Sequence, residues 1–426
     1  MVNLFLRAAE ETKLLVGSPL AERFLAAAVR FIDPTDTDQL LAVHLDRHAA
    51  LYRLGRLDEA DEAYQAICRL CTDPIQHAEA TAVQVSSLTS RGRAAEALRL
   101  GLDALRSLGH HVPDGDRMEM EIDRGLDALY QWIDQTGEAD DLRRPKITDR
   151  SRLGVMQLIK RLMVPAYECD PTILAWLSVT TLQMWVRDGP HPALLGPSGY
   201  IGFVTVSRRR DYRIGQRMTR RILAVGQARG YRPDLWLAQF LYVAGTGHWF
   251  EPLEDNLSAA RRALDGLTQN GDPQNASYTA NIIIENLLDC APSLDLIATE
   301  IDKALAFAAR TGNGQVEEIV RAYRGLIQVL RGAAVESAAD TAPGQPLLAV
   351  EPIVIVHLQV IRALAAAIFD HPADLARHTA GMSILPGIES LHMMATARLL
   401  RALALAGEAR AVGGNNARSR WRSSTV

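Results

Sequence analysis

Leu54-Gly55-Arg56-Leu57-Asp58-Glu59-Ala60 recurs 37 residues later as Arg91-Gly92-Arg93-Ala94-Ala95-Glu96-Ala97, and these two stretches decide the fold. Each glycine suits a tight turn, because glycine adopts a left-handed backbone without a steric penalty. The Glu-Ala pair that follows begins a helix, and its small alanine lets that helix approach its neighbour closely. The sequence therefore predicts two helix–turn–helix units built on the same plan.

The rest of the chain continues this pattern of short helices and turns. Ala, Leu, Arg and Glu, which are strong helix formers, recur throughout. The β-branched run Ile-Val-Ile-Val at residues 353–356 has no partner strand, and we predict a buried helix there. We expect an all-α protein with helices of about 12 to 20 residues between breakers. The breakers are Asp33-Pro34, Asp73-Pro74, Val112-Pro113-Asp114-Gly115, Asp170-Pro171, Gly189-Pro190, Arg232-Pro233, Gly271-Asp272-Pro273, Ala291-Pro292 and His371-Pro372.

The two early units resemble the tetratricopeptide repeat, whose period is about 34 residues. The first unit departs from that repeat at His44, where Trp is favoured, and at Leu51, where Tyr is favoured. Weaker echoes of the turn and helix follow at uneven spacing. The resemblance implies a degenerate tetratricopeptide-like helical solenoid of stacked antiparallel helix pairs.

A wider resemblance is carried by four segments taken in order: Ser107-Leu108-Gly109-His110-His111-Val112-Pro113, Pro165-Ala166-Tyr167-Glu168-Cys169-Asp170-Pro171, Pro197-Ser198-Gly199-Tyr200 and Gly247-His248-Trp249-Phe250-Glu251-Pro252-Leu253. This order resembles the long helical-repeat region of multidomain bacterial signalling proteins, over residues 38 to 330. Those proteins join Ser/Thr kinase and STAND-type ATPase domains to sensor and histidine-kinase modules. The resemblance implies a region without catalytic residues, because the family's catalytic residues lie in its other domains.

Changes in composition divide the chain into five parts. We predict N-terminal helical repeats at 1–140, central repeats at 141–331 and C-terminal repeats at 347–412. Residues 332–346 are rich in Ala, Gly and Pro and are expected to form a linker or long loop. Residues 413–426 lose the apolar periodicity and are expected to form a disordered tail. Such an ending is typical either of an ordinary tail or of a fragment of a larger ATPase or kinase.

The overall composition is that of an ordinary folded protein. Of 426 residues, 48% are hydrophobic and 23% charged, which excludes disorder of the whole chain. The formal charge is −4, so no global field favours nucleic acid or an anionic membrane. Four cysteines are too few for a disulfide framework, and neither a signal peptide nor a membrane-length apolar run is present. We expect a cytoplasmic protein that does not enter a membrane.

Motifs for catalysis and cofactor binding are missing from the sequence. It contains no G-x-x-x-x-G-K-[ST] phosphate loop, no protein-kinase motifs and no G-x-S-x-G nucleophile elbow. Gly312-Asn313-Gly314 lacks the lysine of a phosphate loop. Asp140-Asp141 lacks the third carboxylate of the motif that binds magnesium diphosphate in terpene synthases. We therefore expect neither an enzyme nor a bound cofactor.

Three further pairs of residues are of the types that form metal or redox sites. His44 and His48 are one helical turn apart, but no H-E-x-x-H motif contains them. Cys68 and Cys71 have C-x-x-C spacing without the second pair that a four-ligand zinc site needs. His110-His111 precedes a proline in a turn. All three are expected to be packing, surface or loop residues.

The least ordinary feature of the sequence is a cluster of arginines. Four of them recur at helical spacing and are expected to line one helix face, with a fifth beside them. One interpretation is a solvated face that is paired with acidic residues of neighbouring helices. The other is a site for an acidic peptide, phosphate or nucleotide. The candidate residues are Arg210, Arg213, Arg217, Arg220 and Arg221.

These observations favour a non-catalytic helical-repeat module that binds a protein or ligand in bacterial signal transduction. A protein or peptide partner is expected, or an acidic or phosphate-bearing ligand, and nucleic acid is not. One alternative is a peptide-responsive transcription regulator, although about 36 residues before the repeats are too few for a DNA-binding domain. The other alternative is an all-α enzyme, which would require a deep, dry pocket with converging carboxylates.

Overall fold

The computed structural model describes residues 2–13, 19–332, 352–380 and 388–423, and every regular element in these ranges is a helix. The prediction of an all-α protein is confirmed. Packing between helices divides the chain into two compact units, Met1–Ser198 and Gly199–Val426, which we call unit 1 and unit 2. Among the described helices, none is both long enough and apolar enough to cross a membrane.

Unit 1 contains the first eleven helices among the described residues. Consecutive helices pack in pairs, such as α1 on α2, α3 on α4 and α5 on α6, while α9 packs on both α5 and α6. The bounds are α1 Val2–Lys13, α2 Pro19–Phe31, α3 Thr37–Arg53, α4 Leu57–Leu70, α5 Pro74–Ser90, α6 Ala94–Ser107, α7 Asp116–Gln135, α8 Glu138–Leu142, α9 Arg150–Cys169, α10 Pro171–Asp188 and α11 Pro192–Gly199, which ends at the boundary.

Unit 2 contains the remaining helices. Neighbours along the chain again pack together, from α12 on α13 to α20 on α21, and α16 also contacts α14, α18 and α21. The bounds are α12 Ile201–Arg209, α13 Tyr212–Ala228, α14 Arg232–Gly245, a 3-10 turn Gly247–Trp249, α15 Leu253–Gln269, α16 Pro273–Cys290, α17 Leu294–Thr311, α18 Gly314–Leu330, α19 Pro352–Ile368, α20 Pro372–Ala380 and α21 His392–Ser423.

The repeated stretch forms the turns that its glycines predict. Gly55 and Gly92 have φ values of 72° and 70°, in the left-handed region that a side chain disfavours. The helices on either side of each turn pack against each other. Ala60 and Ala97, near the starts of α4 and α6, are completely buried. Both alanines therefore lie inside the packed core, as a small residue at a close approach between helices would.

Several of the predicted breakers begin helices. The Asp73 side chain accepts a hydrogen bond from the backbone N–H two residues later, and a proline occupies the first helical position. Asp170 and Asp272 cap α10 and α16 in the same way, each followed by a proline. A proline loses nothing at that position, because the first N–H groups of a helix have no partner within it.

The β-branched run forms a helix. Residues 353–356 lie within α19, with Val354 and Val356 buried, so the prediction of a buried helix is confirmed.

The division of the chain by packing differs from the predicted subdivisions. The boundary predicted after residue 140 lies inside unit 1, and the division at residue 198 was not predicted. Apart from Gly332, the predicted linker 332–346 lies outside the described residues. Helix α21 includes residues 413–423, for which the sequence predicted a tail.

Candidate functional site

Helix α13 carries most of the predicted arginines and is fixed by a cap and a close packing contact. The Asp211 side chain accepts a hydrogen bond of 2.9 Å from the backbone N–H of Ile214. A Cβ added at Gly215 would lie 2.3 Å from the Thr205 hydroxyl oxygen and 3.2 Å from the Gly202 Cα. Because only glycine fits there, one side of α13 packs closely on α12, and the opposite side is free to carry polar residues.

The structure brings three of the five predicted arginines to the exposed side of α13. Arg213, Arg217 and Arg220 are all exposed, and we call them the arginine face. Arg210 is also exposed, but it lies at the end of α12 with a left-handed φ of 56°. Arg221 is only 7% exposed, because it is rotated by about 100° from Arg220 toward the packed side. The structure therefore separates Arg221 from the face to which the sequence assigned it.

Glu251 brings a carboxylate close to the arginine face from outside α13. Glu251 Oε1 lies 4.0 Å from Nε of Arg220. The Tyr242 hydroxyl donates a hydrogen bond to the same oxygen. Burial and the negative charge of Glu251 raise the pKa of Tyr242, so the phenol keeps its proton and remains a donor. Since like charges on adjacent helical turns repel by about 0.2–0.5 kcal/mol per pair, such a countercharge stabilises the face.

An aromatic turn adjoins the start of α13. The Trp249 ring meets the Tyr212 ring edge-on, with centroids 4.9 Å apart. The Trp249 Nε1–H donates to the Ser390 carbonyl oxygen over 2.8 Å, and Nε2 of His248 lies 3.0 Å from that oxygen. The next residue, Phe250, is 42% exposed. The turn is thus anchored to the rest of unit 2 while it presents an aromatic ring to solvent.

A buried polar cluster lies elsewhere in unit 2, between α16 and α19. Glu285 and His357 are 3% and 4% exposed, and Glu285 Oε1 lies 3.0 Å from His357 Nε2. The Asn281 side-chain amide donates to the same carboxylate oxygen over 2.7 Å. Glu285 Oε2 and Asn281 Oδ1 are buried and have no hydrogen-bond partner among the described residues. Such orphaned atoms are costly, so the cluster lowers the stability of the core around it.

His357 is held through both ring nitrogens. Its Nδ1 lies 2.8 Å from the Ile353 carbonyl oxygen, which can only accept a hydrogen bond, so Nδ1 is the donor there. Its Nε2 faces Glu285 Oε1 and also lies 3.4 Å from the Asn281 side-chain nitrogen. The ring is thus fixed between α16 and its own helix, α19.

Other titratable groups surround this pair. Burial lowers the pKa of His248 to about 4. The His392 ring meets the His248 ring edge-on at 5.4 Å, and its Nε2 lies 3.3 Å from the Asp289 carboxylate. Burial, with the charges of Glu285 and Asp289, raises the pKa of Tyr323.

Neither Glu285 nor His357 was predicted to be functional. The signal that could have found them is a polar side chain inside an apolar helix. Glu285 follows Ile282-Ile283-Ile284, and His357 follows the β-branched run 353–356. A titratable residue at such a position must be paired, because an isolated buried charge is very unfavourable. The partner could not be identified from sequence, since the two residues are 72 positions apart.

The histidines and cysteines considered as metal or redox sites lie in unit 1. His48 is buried, and its Nε2 lies 3.1 Å from Gln84 Oε1. The Cys68 thiol lies 3.5 Å from Nε2 of His77, and burial raises the pKa of Cys68, which favours the unreactive thiol. In the parts of the chain that the structure describes, no three His, Cys, Asp or Glu side chains are arranged to hold a metal ion.

An open cavity in unit 1 bears on catalysis. It has a volume of about 450 Å³, lies among α6, α7 and α10, and is lined by residues that include Leu102 and Met118. Asp114 and Asp170 line it. Asp114 is 91% exposed, and Asp170 accepts backbone N–H groups as the cap of α10. These carboxylates do not form the dry, converging pair that the enzyme alternative requires.

Two features of unit 2 therefore stand out, one exposed and one buried. The arginine face can contact a partner directly. The Glu285–His357 pair is enclosed and contributes to the interior of the unit.

No family model matches the sequence, and no curated protein is significantly similar to it.

Proposed function

We propose that this chain is a non-catalytic binding module of the degenerate tetratricopeptide-like solenoid type, which recognises an anionic protein or peptide partner in signal transduction. The observation that carries the proposal is the arginine face. Three guanidinium groups project from one exposed side of a helix whose opposite side is fixed by close packing. The succession of paired helices with glycine turns supports a repeat architecture.

Arginine is the residue best suited to such a role. Its planar guanidinium donates two parallel hydrogen bonds to a carboxylate or phosphate, and it keeps its charge at every pH at which proteins fold. A helix holds the Cβ atoms of residues three or four positions apart at about 5–6 Å, which is comparable to the spacing of about 6.6 Å between alternate side chains of an extended peptide.

The test is the double variant Arg213→Glu/Arg217→Glu, assayed by fluorescence anisotropy with a labelled peptide of Glu and Ser. We expect binding to weaken by at least about tenfold, which corresponds to about 1.4 kcal/mol. Wild-type binding should weaken with added salt, because exposed charges are screened. The thermal midpoint should change little, since exposed charges contribute little to stability.

The matched control is Arg117→Glu/Arg124→Glu on α7. Both of these arginines are exposed, and this variant changes the net charge by the same amount as the test variant. We expect it to leave affinity for the acidic peptide within about twofold. Equal losses in the two variants would contradict the proposal, because the overall charge of the protein would then account for the binding.

A further inference from the structure

The aromatic turn contacts α13 at two points. Trp249 contacts Tyr212 at the start of the helix, and Glu251 lies near Arg220, about two helical turns further on. Phe250 lies between these two contact points in the chain and is 42% exposed. The residue that carries this exposed ring is therefore held next to α13, the helix of the arginine face.

The turn that presents Phe250 is fixed on both sides. The Trp249 indole and the His248 ring are tied to the Ser390 carbonyl oxygen. Asn256, at the start of α15, donates to the Val243 carbonyl oxygen in α14 over 3.1 Å. A rigid aromatic group loses little conformational freedom when a partner binds, so more of its contact energy contributes to affinity.

Resting on the proposed function, we propose that Phe250 and the arginine face form one composite surface, whose partner is an acidic peptide with an aromatic or aliphatic anchor residue. Arginine and aromatic side chains are the residue types that dominate binding energy at protein interfaces. A free phosphate would leave the aromatic ring unused. The protein carries a formal net charge of −4, which favours a short acidic segment at this local basic face over the long, continuous phosphate backbone of a nucleic acid.

Three labelled peptides of equal length separate the two components of this surface. The first contains Glu and Ser, the second adds one central Trp, and the third keeps the Trp but replaces Glu by Gln. We expect the acidic peptide with Trp to bind about tenfold more tightly than the acidic peptide without it. The uncharged peptide should bind most weakly. Phe250→Ala should abolish the advantage of the Trp peptide and leave the affinity of the purely acidic peptide unchanged.

The control for this variant is Phe369→Ala. Phe369 lies just after α19 and is 43% exposed, so the two substitutions remove the same group at the same exposure. We expect Phe369→Ala to leave the affinities of all three peptides unchanged. An equal loss in both variants would overturn the composite surface.

The remaining outcomes distinguish the composite surface from the proposed function. If Arg213→Glu/Arg217→Glu abolishes binding while Phe250→Ala changes nothing, the composite surface is wrong and the proposed function stands. If no acidic peptide binds, both are wrong. A single-stranded oligothymidine that binds more tightly than the acidic Trp peptide, and loses affinity in Phe250→Ala, would overturn the assignment to a peptide in favour of nucleic acid.

Discussion

Unit 1 and unit 2 each bury a glutamate, but they neutralise it differently. Glu22 in unit 1 is 2% exposed, with Nε of Arg47 at 3.0 Å from one carboxylate oxygen and Nη1 of Arg56 at 2.5 Å from the other. Glu285 in unit 2 has one oxygen shared by His357 and Asn281, and its second oxygen has no partner among the described residues.

This difference shows two ways of placing a carboxylate in a helical core. Arg47 and Arg56, the partners of Glu22, keep their charge at any pH at which the protein is folded. Both are partly exposed, so pairing with Glu22 costs them only part of their hydration. The partners of Glu285 are enclosed and both approach the same oxygen, so the other oxygen has no partner among the described residues. Unit 2 should therefore be more sensitive than unit 1 to the loss of a single partner.

The strongest test of the comparison is His357→Ala. It leaves a buried carboxylate without its imidazole partner, and we expect a loss of about 3–5 kcal/mol in the opening free energy of α16 and α19. Native-state hydrogen exchange measures this quantity segment by segment. The control, His371→Ala, removes a 61% exposed imidazole that follows α19 and should change nothing measurable. A loss below about 1 kcal/mol for His357→Ala would show that the pair is not essential to this core.

A smaller effect is expected for Glu22→Gln in unit 1. The amide keeps the shape of the carboxylate but gives up two charge-assisted hydrogen bonds, and Arg47 and Arg56 can turn toward water. We expect the opening free energy of α2, α3 and α4 to fall by about 2 kcal/mol. Glu62→Gln on the exposed side of α4 is the matched control. A loss larger than that of His357→Ala would reverse the comparison.

The helices could be predicted from sequence because their signals are local. The left-handed turns at Gly55 and Gly92 and the Asp-Pro starts of α5, α10 and α16 are each contained within a few residues. Helical periodicity likewise placed Arg213, Arg217 and Arg220 on one face. Closeness in sequence is a poor guide for Arg221. A helix rotates by about 100° per residue, so the side chain that follows Arg220 turns inward.

The buried cluster could not be predicted, because its parts are distant in sequence. The pairing of Glu285 with His357, and of Ser390 with His248 and Trp249, depends on how α16, α19 and α21 pack. The division of the chain at residue 198 is likewise a property of packing. No local change in composition marks that position.

The smallest effect concerns His248, which has carbonyl oxygens near both ring nitrogens but, unlike His357, no carboxylate within hydrogen-bond reach. The Ser390 and Val243 oxygens also accept hydrogen bonds from Trp249 and Asn256, so each keeps a partner even though a neutral His248 ring can donate to only one of them. Burial lowers the pKa of His248 to about 4, below the ordinary value of 6.5, so the unfolded chain takes up this proton first as the pH falls. The stability contributed by His248 is therefore complete above pH 6.5 and is lost as the pH falls toward 4.

Urea unfolding of the wild type and of His248→Gln measures this effect. Between pH of about 7.5 and 5.5, the free energy of unfolding of the wild type should fall by about 1 kcal/mol more than that of the variant, because glutamine does not titrate. A wild type that instead gains stability relative to the variant over this range would mean that His248 is doubly protonated in the folded protein.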